Sequence, residues 1–537
     1  MRLVRSLPLL ALLAFATAPL AAQQPDSLTI AGMRWRGIGP ANHQGRVTDV
    51  QGIPWPSRTF YVASAGGGVW KSTNAGTTFR PVFENEHVSS GGMLAIAPSD
   101  TNVVYYGTGE PNTRNSISPG AGVYKTVNGG KTWDFIGLRE TQQIGRIVVH
   151  PRDPNTVYIA ALGHAWGSNK ERGLYKSTDG GKTWALKKFI SDKAGFVDVA
   201  LDPRDPNTVW ASSYERVRGP YFLQSGGPGS ALWKSTDAGE TWTEVKGGGL
   251  PETSKGRISI AIAASDANVM YLQVEADTVA NPKKDPKVKA AKSPTGLYRS
   301  ADAGKTWEKV NDEDTRPFYY SQVRVDPTNP NHVFWSSTPI KFSLDGGKTT
   351  GNTTNNVHVD HHAMWIDPKD PSHIIVGDDG GVAQTWDSGG NWDAMNQLPI
   401  GQYYNVSFDM AVPYNVCGGA QDNGAWCGPS RRRSGTITNS MWFTFNGGDG
   451  FVTAQDPTNS DIIYGESQGG NIGRYVVSTG ERFGLAKPQW KPKYTQWEDS
   501  IAVLWPDTTK ALSKDDKKRL DAFRMQQKRD SVDLDMR

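Results

Sequence analysis

Cysteine is nearly absent from this chain. Only Cys417 and Cys427 occur in 537 residues, which excludes a small scaffold stapled by many disulfides. With no histidine beside them, the pair does not read as a metal site. Long apolar runs are missing too: no segment reaches the roughly twenty apolar residues that a membrane-spanning helix requires. Charge of one sign is also lacking. The formal net charge is +4, so nothing calls for a nucleic-acid partner. The local basic clusters at 283–292 and 431–433 read as solvated loops.

What the chain has instead is glycine (59), proline (33) and tryptophan (19), with a hydrophobic share of 37%. That balance suits an all-β protein of short strands and many turns. The N-terminus reads as a secretory signal over residues 1–22. Arg2 and Arg5 precede a short apolar core from Leu7 to Phe15, and small residues follow as cleavage candidates. The expected destination is export, periplasmic or extracellular. Export permits oxidation, and Cys417 and Cys427 are spaced for a disulfide across a hairpin.

One phrase recurs, Ser-x-Asp-x-Gly-x-Thr-Trp. Full copies begin at Ser177, Ser235 and Ser300, and weaker ones at Ser72, Thr126, Ser343 and Thr385. Their spacing of about 40–65 residues is that of propeller blades or solenoid units. The polar side chains can bond nearby backbone N–H groups, and the glycine supplies a positive φ. The closing aromatic plugs the turn. These aspartates therefore read as structural. A second phrase built on Asp-Pro or Asp-x-x-Asp-Pro, clear at 150–158, 202–210, 326–334 and 367–375, marks another turn, because proline is excluded from central strands. Each blade then runs strand A, Asp-Pro turn, strand B, glycine-rich loop, strand C, repeat turn, strand D. About nine blades start between Gln44 and Tyr475. In such a meander the two turn types share one face, and the B–C and D–A loops share the opposite one.

The repeat is the Asp-box, or BNR repeat, and the chain resembles propeller families that carry it: sialidases, two-propeller xyloglucanases and sortilin-type ectodomains. Over 36–475 it resembles large exported bacterial propeller proteins described as sortilin-like or glycosyl-hydrolase-like. The specific phrases are those at 358–368, 418–424 and 447–451. The seven repeat-bearing blades are expected to form a seven-bladed propeller over 36–397, with two further blades at 398–480 beginning a second, incomplete propeller. A single ring of nine or ten blades is the alternative. The resemblance implies that the chain is an N-terminal part of a longer protein. Residues 481–537 read as an extension with one charged surface helix opened by Ser513, with Asp516 as its capping-box partner.

Candidate site residues fall on the face opposite the repeat turns. Arg46, Arg146 and Arg257 start three A strands and could converge on a carboxylate, phosphate or sulfate; bracing neighbouring blades is the competing role. The sialidase resemblance lacks its Arg-Ile-Pro phrase. His358, Asp360 and His362 form the densest group of metal-ligand types, and a structural calcium or other divalent metal is the cofactor they could hold. Asp378, Asp379, Gln421, Asn423 and Asp449 come from neighbouring loops of the same sector. Xyloglucanase resemblance implies one catalytic carboxylate per propeller in an Asp-Ile-Gly-Gly-type loop. Asp378 in Gly377-Asp378-Asp379-Gly380-Gly381 fits the second. Ala65 stands where the first would fall, so Glu110 or Asp422 would have to complete a catalytic set. The leading expectation is an exported binding module for a protein, peptide or glycan. The alternative is a glycoside hydrolase acting on a polysaccharide.

Overall fold

The computed structural model describes residues 31–33, 36–39, 44–114, 117–277, 293–485 and 513–535. The segments read above as a signal and as the basic cluster at 283–292 lie outside the described residues. Among the described residues nine antiparallel sheets follow one another, spanning 47–81, 91–135, 144–188, 194–244, 255–311, 323–352, 361–394, 403–446 and 453–484. Each is a four-stranded meander, except that the fourth carries the extra short strand Leu223–Ser225. The protein is a β-propeller, and the sheets are its blades.

The first seven blades pack each against the next, and the inner strand of blade 1, Val47–Gly52, packs on His361–Ile366 and Ile374–Asp378 of blade 7. Val47, Val50 and Val62 share one apolar core there with Ala363, Ile375 and Leu398. That contact closes a ring of seven. Blades 8 and 9 pack on one another through Tyr403–Phe408 and Thr453–Gln455.

The repeat turns explain the outer frame. In blade 3, Ser177 Oγ accepts from the Gly181 N–H at 2.8 Å, and Asp179 accepts from the Thr183 N–H at 2.9 Å and its hydroxyl at 2.6 Å. Gly181 has φ +92°, which a side chain rarely tolerates. The Trp184 indole N–H then donates to Ile136 O of blade 2 at 2.6 Å. Tyrosines on B strands reach forward instead: Tyr61 donates to Gly129 O and Tyr158 to Ala238 O, each in the next blade's turn. Gly180 N–H donates to Asn155 O, joining the repeat turn to the Asp-Pro turn on a single face.

Cys417 and Cys427 face each other in register across one hairpin of blade 8 and are disulfide-bonded, with Cα atoms 4.1 Å apart. The C-terminal helix, Lys514–Asp535, starts at Ser513, whose Oγ accepts from the Asp516 N–H at 3.2 Å and donates to its carboxylate at 2.7 Å. Among the described residues no helix is long and apolar enough to cross a membrane.

The closure between blades 1 and 7 is tight at Gly377, where an added Cβ would collide with the Val47 side chain and press on Ala363. Gly377→Val should therefore lower the urea midpoint, costing roughly 1–3 kcal/mol as overpacking does. Gly447→Ala, where nothing lies within 4 Å, should leave it unchanged. Equal midpoints for the two variants would contradict the closure.

Candidate functional site

Opposite the repeat turns, the ends of four blades meet around one arginine. Arg46 immediately precedes the inner strand of blade 1. Its Nε lies 2.8 Å from Asp379 Oδ1, its Nη1 2.7 Å from Glu110 Oε1, and its Nη2 3.5 Å from Asp422 Oδ2. These acids come from the B–C loops of blades 7, 2 and 8. Asp379 also takes the Tyr319 hydroxyl on Oδ2 at 2.6 Å and contacts His362 Nε2 through Oδ1 at 2.7 Å. Arg46, Glu110, His362 and Asp379 are each at most 1% exposed, while Asp422 and Arg114 keep 19% of their side chains exposed.

Glu110 belongs to a strap laid over the mouth of the central channel. Residues 109–113 are buried. Thr113 N–H donates to Phe318 O of the segment that leads into blade 6, Arg216 grips Pro111 O and Thr113 Oγ1, and Arg257 grips Asn112 Oδ1 at 3.0 Å. Arg114, beyond them, lies over the Tyr319 ring at 4.7 Å and reaches Asp422 at 3.3 Å and Asp379 at 3.8 Å. The strap thus crosses from blade 2 to blades 6, 7 and 8.

The turn that carries Asp422 joins Asn415–Ala420 to Ala425–Pro429. Asp422 has φ +56° and Gly424 φ +70°. Aspartate is one of the few residues with a side chain that visits this region readily. The turn is held from below by Asp449, whose Oδ1 accepts from the Asp422 N–H at 2.9 Å and whose Oδ2 accepts from Gln468. His358 Nε2 lies 3.1 Å from Asp422 O, and Asn423 Nδ2 donates to Asp379 O at 2.9 Å. Gln421, buried beside them, donates its backbone N–H to Gln402 O.

Protonation in the cluster is divided. Burial pushes the Asp379 carboxyl upward, but Arg46 and His362 overcome it and hold the group well below the usual carboxylate range. Burial, reinforced by the charge of Asp379, pushes Asp422 up to about 7. Asp422 is thus protonated below neutral pH and hydrogen-bonded to an ionised Asp379. Burial also raises Glu110 against the pull of Arg46. Adjacent carboxyls with opposed protonation are the arrangement that assigns acid and base roles in enzyme sites.

Several expectations change. The carboxyl of the blade 7 loop that reaches Arg46 and His362 is that of Asp379, not that of Asp378. Asp378 turns into its own hairpin, accepts from the Gly380 N–H at 2.7 Å, and is raised well above its ordinary value by burial. The proposed metal ligands part company. His358 faces Val359 O and Asp422 O, Asp360 accepts from Tyr320 and pairs with Arg316, and His362 contacts Asp379 and Tyr319 O. Among the described residues no three His, Cys, Asp or Glu side chains gather as a metal site. The three arginines do not all converge either. Arg46 serves the cluster, whereas Arg146 and Arg257 both line the central channel, Arg257 also holding the strap and Arg146 lying 3.6 Å from Asp198. Arg114 and Tyr319 escaped the sequence reading. Tyr319 stands four residues before the inner strand Val323–Val325, not directly before it as Arg46 does before Val47–Gly52. Arg114 sits in a loop with no repeat to index it.

The Sortilin-Vps10 family model, described as sortilin, neurotensin receptor 3, matches residues 121–287. A xyloglucanase of Acetivibrio thermocellus is 28% identical over 207 residues, covering 35% of this chain and 23% of the relative. A probable oligoxyloglucan-reducing end-specific xyloglucanase of Neosartorya fischeri is 28% identical over 318 residues, 58% of this chain and 33% of the relative. The chain thus spans between about a quarter and a third of the length of these curated relatives. The solved GH74 enzyme of Niastella koreensis aligns over 83% of this chain and 72% of its own, at 17% identity and a TM-score of 0.42.

The Asp422 shift has a sign that can be measured. Its folded value of about 7 lies above the roughly 3.9 of an unfolded aspartate. The folded state therefore binds the extra proton between those values, and this contribution to stability is lost as pH rises through about 7. Asp379 acts oppositely, its contribution vanishing on acidification below about 4. Urea midpoints of wild type should fall from pH 5 to pH 8 more steeply than those of Asp422→Asn. Parallel profiles would contradict the assignment.

Proposed function

We propose that the chain is part of an exported, carbohydrate-directed propeller protein of the glycoside-hydrolase type, with Asp422 as proton donor and Asp379 as the carboxylate that activates water. The observation that carries this reading is the convergence of Asp379, Asp422 and Glu110, from three blades, on the one guanidinium of Arg46. Similarity to xyloglucanases over about a third to three-fifths of the chain supports a polysaccharide as the substrate class. In the reaction, Asp422 gives its proton to the glycosidic oxygen as the bond to the anomeric carbon breaks. Asp379 takes a proton from the water whose oxygen attacks that carbon, so one water is consumed per bond.

The described arrangement is a closed one. Paired carboxyls in glycosidases stand about 5–9.5 Å apart with the sugar between them, whereas here Asp422 rests on Asp379. A productive complex requires the turn at 421–424 to withdraw, breaking the contacts of Asp422 with Arg46 and Arg114. Asn423 and His358 would release the same turn.

A second reading, a glycan-binding module without chemistry, is favoured by a specific observation. Ala65 is buried where a first-propeller carboxylate would stand, and Asp378 is consumed by its hairpin.

Reducing-end release from xyloglucan and other β-glucans separates the readings. The hydrolase reading expects activity in wild type and a loss of about 100-fold or more in Asp422→Asn, the scale of general acid catalysis, with retention of the polysaccharide in affinity gels by both proteins. Retention without release in wild type would favour the binding module. Neither retention nor release would end the carbohydrate reading.

A further inference from the structure

Below the strap, the central channel narrows to a cavity of about 10 Å³ lined by Arg146, Arg257, Arg324, Asp198, Gln322 and Ser321, among others. A volume of that order admits one water-sized species. The inner strands of blades 3, 4, 5 and 6 supply these side chains, so whatever sits there touches four blades.

The lining carries more positive charge than its acids neutralise. Arg324 donates to Met364 O, Val323 O and Gln322 Oε1, all uncharged acceptors. Arg257 donates to Asn112 Oδ1 and Phe318 O, also uncharged. Among the described residues neither has a carboxylate within ion-pair distance. Asp198 is the one carboxylate on the lining. It lies 3.6 Å from Arg146 and already accepts from Val199 N–H, Ile260 N–H and the Ser259 hydroxyl. Gln322 Nε2 lies buried with no hydrogen-bond partner, since its Oε1 is turned to Arg324.

We propose that this cavity holds one monovalent inorganic anion of halide size between Arg146, Arg257 and Arg324, with the Gln322 amide as a further donor. The guanidinium and amide groups present donors, and an anion needs only to accept. A buried guanidinium without a close opposite charge is costly; Asp49, Asp314 and Glu275 act on Arg324 and Arg257 only from beyond ion-pair distance, and a halide would supply the charge at contact. The chemistry of Arg324 agrees, since burial and the neighbouring Arg146 depress it to about 9. Polyatomic anions such as phosphate exceed the space. The ion would act as a cross-brace between blades 3 to 6, independent of any role of the Arg46 cluster.

Crystals of the wild-type chain grown or soaked in sodium bromide test this directly, as bromide gives an anomalous difference peak. A peak in the cavity, among the three guanidinium groups, is the expected result. In solution, the melting midpoint should be about 2 °C higher in sodium bromide or chloride than in sodium gluconate of equal ionic strength, as binding to the folded state alone demands. Arg324→Gln should lose that difference. If this variant fails to fold, the anomalous map of wild type decides alone. A cavity without a bromide peak, filled by water in both salts, overturns the proposal.

Discussion

The contact between Arg46 and Asp379 is the constraint on which the working face depends. It joins blade 1 to blade 7 above the apolar closure of the ring. Through Glu110 and Arg114 it fixes the strap over the channel, and through Asp422 it fixes the B–C turn of blade 8 to the ring. A buried ion pair adds little net stability, but removing one partner leaves an uncompensated charge, at a cost of about 3–5 kcal/mol. Its value lies in position. One cation brings three acids from three blades to a common point, where burial, reinforced by the charge of Asp379, keeps the proton on Asp422 while Arg46 and His362 strip it from Asp379.

That division of protons makes chemistry conceivable at a place that is otherwise shut. Asp379 has almost no exposure, and its cover is a hairpin turn and one arginine. The cover rests on polar contacts rather than on an apolar core: Asp422 with Arg114, Asn423 with Asp379 O, His358 with Asp422 O. Such contacts exchange readily for water or for sugar hydroxyls, since the net gain of each is only about 0.5–1.5 kcal/mol. The apolar contacts of blades 8 and 9 lie elsewhere, around Cys417, Cys427, Phe445 and Ile463.

The repeat frame was legible in the sequence because its causes are local. Serine, aspartate and glycine within five residues close each turn with their own hydrogen bonds, and strand parity then places every other loop on the opposite face. This reasoning put His358, Asp379, Asp422 and Asp449 in one sector, and named Glu110 only as a substitute acid from another loop. It failed where the cause is a long-range crossing. The strap at 109–114 spans the ring, and no periodicity announces that Arg114 will meet Tyr319. It failed also at single-residue resolution. Asp378 ends a strand and Asp379 follows it, so the turn decides which side chain looks into the cluster. Arg146 and Arg257 stand at matching heights to Arg46, yet the channel separates their sectors and Arg324, outside the repeated Gly-Arg phrase, is their neighbour.

The central claim is that Asp379 and Asp422 form a coupled pair in which one is ionised and the other protonated. Carbon-13 NMR titration of the aspartate carboxyl groups, assigned through Asp379→Asn and Asp422→Asn, tests it most directly. The account predicts a carboxyl that titrates near 7 and vanishes with Asp422, and another that stays ionised well below pH 4 and vanishes with Asp379. Two carboxyls titrating independently near the ordinary value of about 4 would contradict it.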